Sequence, residues 1–166
     1  MIHAARETVY SLLFTLLQAV VLPPELQFVT TGRRLLPWTD VPPPNQPAMY
    51  LKQGPQDFFQ ASPKHTAAQY AFGVPTQIWT ATVWIYYRTD SSALQNELPV
   101  IPINQYMDAF EQLLMPQPGN PQTLASVNNN QPLVYNCWID GTVSFDDGLL
   151  DSQAVLVIPI SILVGV

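Results

Sequence analysis

The stretch 76–89, TQIWTATVWIYYRT, constrains the fold more than any other part of the chain. Trp79, Ala81, Val83, Ile85 and Tyr87 alternate with Thr80, Thr82, Trp84, Tyr86 and Arg88, a period of two that a β-strand turns into two faces. At about 3.3 Å per residue the run extends roughly 45 Å. That is long for a chain of 166 residues, so the spacing predicts a strand whose end projects. A second constraint is Gln153–Val164, QAVLVIPISILV, which is apolar at both parities. Such a strand belongs in the middle of a sheet. Pro159 inside it lacks an N–H and predicts a bulge or a break in the ladder.

The remaining elements are arranged around these two. Thr8, Ser11, Thr15 and Gln18 make a polar stripe, and Val9, Leu12, Leu13, Leu16 and Val20 the opposite face, so residues 9–22 read as an amphipathic helix ending at Pro23-Pro24. A signal or anchor segment behind Arg6 is the alternative. The stripe, Glu7 and the lack of an A-x-A site speak against a signal, and fourteen residues are too few to span a bilayer as a helix. Phe28–Leu36 reads as a strand with Gly32 as a bulge. Seven of the 17 prolines fall between Pro37 and Pro63, which excludes a regular element through Pro42–Pro47 and leaves Met49–Gln53 as a short strand.

Residues 54–74 are polar and aperiodic, and read as a long loop or extended arm. A second helix opens near Asn104 as N-cap, turns Met107, Phe110 and Leu114 inward and stops at Pro116. After a linker-like stretch, Leu133–Asp140 is a strand with Leu133, Tyr135, Cys137 and Ile139 on one face, and Asp140-Gly141 and Asp146-Asp147-Gly148 are turns. The order α-β-β-β-α-β-β predicts one α+β domain over residues 1–166. It is a mainly antiparallel sheet with two helices packed on one face, plus the long loop or arm.

Composition narrows the function. Apolar residues make up 48% of the chain and charged residues 11%, against about 25% in an ordinary soluble domain. So neutral a surface suits one covered by partner subunits, the alternative being a chain poorly soluble alone. The net charge of −6 argues against a general nucleic-acid binder. All six Lys and Arg lie in residues 1–88, with four acids; residues 89–166 carry eight acids and no base. Apart from chance, this division describes a subunit with a basic and an acidic side, suited to head-to-tail association in a ring.

The chemistry-bearing residues are few. His3 and His65 have no ligand-spaced partners, and Asp146, Asp147 and Asp151 lack the calcium-loop spacing. No phosphate-binding or nucleophile motif is present. Asp108 and Glu111 read as the solvated face of the second helix, and Cys137 as a buried structural thiol. Catalytic, metal and cofactor residues are therefore expected to be none, and no membrane association is expected.

The pair Arg33-Arg34 invites three readings. On a strand the two side chains face opposite ways, so a joint anion site requires a bulge. One of them can pair internally with a carboxylate such as Asp40. The reading adopted is contact across a subunit boundary, where Arg is favoured for its planar, multidentate donors. The candidate interface residues are Arg33, Arg34, Trp38, Asp40 and Arg88, with Phe58 and Phe59 from the long loop.

Several pieces in order carry a family resemblance: the amphipathic helix, GRRLLPWTDVPPPNQPAMYL at 32–51, WTATVWIYYRTD at 79–90, INQYMDAFEQLLMP at 103–116, QTL at 122–124, LVYNCWIDG at 133–141 and QAVLVIPISILV at 153–164. Together they cover most of the chain, with 54–74 departing, and the sequence resembles the tail terminator (tail completion) proteins of long-tailed bacteriophages. That resemblance implies a non-enzymatic α+β subunit of the virion, assembled in the host cytoplasm. It implies a homo-oligomeric ring, a hexamer, that caps the tail tube protein, stops tube polymerisation and presents a joint to a head–neck connector protein. It further implies that phage DNA passes through the ring's lumen without specific binding. Another head–tail joining or neck protein is the nearest alternative, and a signal-anchored bacterial binding domain a more distant one.

Overall fold

The computed structural model describes residues 5–58, 76–88, 100–114, 121–124, 132–146 and 153–165. In chain order these form α1 (Arg6–Gln18), β1 (Thr30–Gly32), β2 (Ala48–Phe58), β3 (Thr76–Arg88), α2 (Val100–Leu114), β4 (Asn136–Ile139), β5 (Ser144–Asp146) and β6 (Gln153–Gly165). Short 3-10 turns stand at Pro24–Leu26, Trp38–Asp40 and Pro43–Asn45. The strands make one mixed sheet in the order β1-β2-β3-β6-β4, with β5 also on β6. The class is α+β, as predicted.

The long strand is present, and its alternation gives the two faces. Trp79, Ala81, Val83 and Ile85 are buried, while Thr80, Thr82 and Trp84 are partly exposed. The expected projecting end is corrected. Every residue of β3 pairs with β6, from Thr76↔Gly165 to Arg88↔Gln153. Its length is absorbed by an equally long partner. β6 is central as predicted, and Pro159 does not disturb this ladder, since Thr82↔Pro159 sits in register. The break falls on the other edge of β6. There β4 ends at Ile139↔Ile160, Asp140 donates its N–H to the Pro159 carbonyl at 3.1 Å, and β5 begins at Ser144↔Val157. The missing N–H thus faces the turn between two short strands. Gly141 makes that turn at φ +112°, a conformation that favours glycine.

Both helices lie over one face of the sheet and share a core with it. From α1, Val9, Tyr10, Leu13 and Leu17 are buried, so the apolar face is centred one step from the predicted one, and Leu12 and Leu16 are only partly buried. Tyr10 stacks on Trp79 with centroids 6.0 Å apart and donates its hydroxyl to the Thr80 carbonyl at 3.0 Å. These contacts fix the rotation of α1. The helix ends at Gln18, before the expected Pro23-Pro24.

α2 begins at Val100, so Asn104 lies inside it instead of capping it. Pro102 is tolerated there because the first turn has no N–H bonds to lose. Its buried face is Ile103, Tyr106, Phe110 and Leu114. Tyr106 donates to the Leu26 carbonyl at 2.8 Å and stacks on Phe28 at 5.3 Å, which ties α2 to the segment leaving α1. Burial also pushes the Tyr106 phenol pKa up. Cys137 is fully buried among β4's inward side chains, and burial pushes its thiol up to about 12.

Three strand boundaries differ from expectation. Phe28–Leu36 supplies only Thr30–Gly32, which pairs in parallel with Ala48–Tyr50. The chain then leaves the sheet, and Leu35, Leu36 and Val41 pack against Tyr50 and Tyr86 on the face away from the helices. β2 does not stop at Gln53. It passes Gly54-Pro55 by a bulge and resumes pairing at Gln56↔Trp79, so the first five residues of the expected loop are strand. The rest of that loop, 59–74, lies outside the described residues. β4 starts at Asn136, and Tyr135 is exposed instead of sharing the buried face of Cys137.

Candidate interaction surface

The crossover from β1 to β2 carries most of the candidate residues, and local forces decide where each lands. Arg33 follows the last residue of β1 and reaches across to the first turn of α1. Its Nη1 donates to Glu7 Oε1 and, at 3.0 Å, to Ser11 Oγ, and its Nη2 donates to Glu7 Oε2 at 3.2 Å. The partner is therefore Glu7, not the Asp40 considered from sequence. The Arg33 guanidinium, helped by Ser11, holds the Glu7 carboxyl below its ordinary pKa. Placing a carboxylate in the first turn also suits the helix dipole. The sequence missed this clamp because its partners stand 26 positions apart.

Arg34, one residue on, is exposed. Both arginines sit in bends past the end of β1, so the premise that a strand divides them to opposite faces does not apply. The division is made instead by Glu7, which takes one and leaves the other to solvent.

Pro37 opens the 3-10 turn Trp38–Asp40, closed by Asp40 N–H to the Pro37 carbonyl at 2.9 Å. A second turn, Pro43–Asn45, follows, and the Gln46–Pro47 peptide is cis. These rigid turns hold Trp38 outward at 48% exposure, with Asp40 exposed beside it. Tyr86, on β3, donates to the Leu36 carbonyl at 2.9 Å and pins the crossover to the sheet. Arg88, the last residue of β3, comes up alongside. Trp38, Val41, Pro42, Gln46 and Arg88 line one groove of about 200 Å³. Arg88, Gln46, Pro47, Tyr87 and Glu25 line a second of about 410 Å³.

The structure thus brings Trp38 and Arg88 together, sets Asp40 next to Trp38, and commits Arg33 elsewhere. Phe58 closes β2, its side chain outside the described residues, as is Phe59. Gln46 was not singled out from sequence. Its side-chain Nε2 amide donates to the Val41 carbonyl at 2.9 Å, while its buried Oε1 has no partner among the described residues.

An exposed tryptophan beside an arginine, framed by prolines that have little entropy left to lose, has the composition of a protein-binding patch. Among the described residues, no group of three or more His, Cys, Asp and Glu side chains could hold a metal ion, and no helix is long and apolar enough to cross a membrane. His3 and His65 lie outside the described residues. Asp108 and Glu111 are exposed on α2, facing solvent as expected. No protein-family model matches the chain, and a search of curated proteins finds no significant match.

Proposed function

We propose that the protein is a structural, non-enzymatic subunit of a bacteriophage tail. It forms a ring, a hexamer, that caps the tail tube and joins it to the head–neck connector. The observation that carries this reading is that exposed Trp38 and Arg88 line one proline-framed groove. Large aromatics and arginines concentrate where protein surfaces meet. Further support comes from the ordered resemblance along the chain, from its low charge, and from the division into a basic first half and an acidic second half.

In such a ring the basic side, with Arg34 and Arg88, meets the acidic side of the next subunit. An acidic lumen lets DNA pass without sticking. The protein belongs to the head-proximal end of the virion tail after assembly in the host cytoplasm. No cofactor is required.

Light scattering and negative-stain microscopy of the purified protein, alone and with tail tube protein, test the reading. Six-membered rings are expected, at least on tube ends. Trp38→Ala and Arg34→Glu should weaken them while leaving circular dichroism unchanged. The Arg34 defect should grow with salt, because exposed charges are screened over about 8–10 Å. Monomers under all these conditions would refute it.

A further inference from the structure

We infer that the sheet face opposite the helices is a second, self-complementary docking surface whose occupant is another copy of this chain, related by a two-fold axis parallel to the strands. Both helices pack on the other face. On this face the crossover covers the end near Tyr86 and Tyr50. Trp84 packs at the margin of that cluster. Beyond it Val157, Pro159, Leu163 and Trp138, with Thr80 and Thr82 between them, are partly exposed, with no helix among the described residues over them. Ridges of this kind bury themselves by packing sheet on sheet, about 10 Å apart and nearly aligned.

The charge layout selects the occupant. Lys52 pairs with Thr82, Thr82 with Pro159, and the Pro159 carbonyl takes the Asp140 N–H, so all four lie in one row across the sheet. Lys52 and Asp140 are both exposed, at opposite ends of that row. Asp140 is aimed on this face, since its Oδ2 accepts from Ser161 Oγ at 2.8 Å. Three strand spacings separate the ends, about 14 Å.

A two-fold axis along the strands carries the Lys52 edge of one copy over the Asp140 edge of the other. Each copy then supplies one cation and one carboxylate, and both pairs form together. A two-fold axis across the strands sets like charges over each other and is disfavoured. Four strands over the run Ile78–Trp84 present roughly 450 Å² of projected face per copy. Doubled, that lies in the range of weak, reversible contacts. The contact is isologous, so it is separate from the heterologous contact a ring requires.

Charge reversal tests the register. Sedimentation equilibrium of the wild type at tens to hundreds of micromolar should show a monomer–dimer equilibrium, or an even-numbered association of rings. Lys52→Asp and Asp140→Lys each set like charges face to face, and each should weaken association about tenfold or more. Mixing the two variants one to one pairs every charge again and should restore wild-type association, with one copy of each variant in every dimer by native mass spectrometry. Lys52 is exposed on a strand, so its variant should fold even if Asp140→Lys disturbs the turn. Rings that persist in both single variants while their pairing is lost would uphold this contact independently of the ring reading. No dimer at these concentrations, wild-type association in Lys52→Asp, or failure of the mixture to recover would overturn it.

Discussion

Gly54 sits where β2 bulges over Thr80, and replacing it by alanine tests whether that crossing is as tight as the structure draws it. A Cβ built at Gly54 lies 2.3 Å from Thr80 Oγ1, 3.2 Å from Thr80 Cβ and 3.2 Å from the Thr80 carbonyl oxygen. The hydroxyl must move by about an ångström to reach ordinary contact. It is not free to do so, because it donates to the Pro55 carbonyl at 2.7 Å. Rotating it away forfeits that bond, worth about 0.5–1.5 kcal/mol, and still leaves the backbone carbonyl close.

Overpacking adds about 1–3 kcal/mol, while the lost chain entropy of glycine returns roughly 0.5–1 kcal/mol. Gly54→Ala should therefore destabilise by about 2 kcal/mol. With a urea slope of about 2 kcal/mol per molar, the midpoint falls by roughly 1 M, which tryptophan fluorescence can follow. The decisive measurement is the cycle with Thr80→Ala. Removing the hydroxyl should relieve the clash, so the double variant should be at least about 1 kcal/mol more stable than additivity predicts. Additive losses, or a stabilised Gly54→Ala, would show that the crossing is loose and the reasoning wrong.

Other consequences are simpler to read. Leu13→Asp puts a carboxylate at a fully buried position of α1 and should cost several kcal/mol. Ser11→Asp, beside the Arg33 guanidinium, should change stability by less than about 1 kcal/mol; comparable losses by thermal melt would show the helix rotated. Tyr106→Phe strips the Leu26 carbonyl of its buried donor and should cost about 1–2 kcal/mol with the stacking on Phe28 intact, measurable by denaturant titration. Glu7 has its pKa depressed by Arg33, so the stability it contributes is present above the ordinary glutamate pKa and is lost as pH falls through the lower folded value. The gap in melting temperature between wild type and Glu7→Gln should therefore close on acidification; a gap that widens would contradict the clamp.

What the chain reveals before folding follows the range of the forces involved. The alternation of β3 and the two-sided apolarity of β6 are local: parity makes β3 legible, and a run apolar at both parities suits the central place that β6 takes. The position of Asn104 misled because an asparagine caps only when the preceding backbone leaves the helix. Here Val100–Ile103 continues it on the strength of Ile103's burial. The stop of β1 at Gly32 and the run of β2 past Pro55 were not legible, because neighbouring strands and the Glu7 clamp decide them from far along the chain. The candidate surface divides the same way. Trp38 was singled out from sequence as a candidate interface residue, whereas the groove it lines with Arg88 required the register of β3 against the crossover.

β6 holds the middle of the sheet, yet the sequence delivers it after every other strand described. Its partners on β3 stand more than sixty positions earlier. During synthesis at about 5–20 residues per second, β3 emerges and waits several seconds with one long edge unpaired and its apolar face bare. Topologies that depend on such distant pairings also fold slowly. An open edge of this length is a template for other chains, so a nascent chain shortened before Gln153 should aggregate instead of forming a smaller version of the fold. Yield in cells is then set by how fast β6 arrives and inserts, and slower translation between Arg88 and Gln153 should lower it more than an equal delay before Thr76.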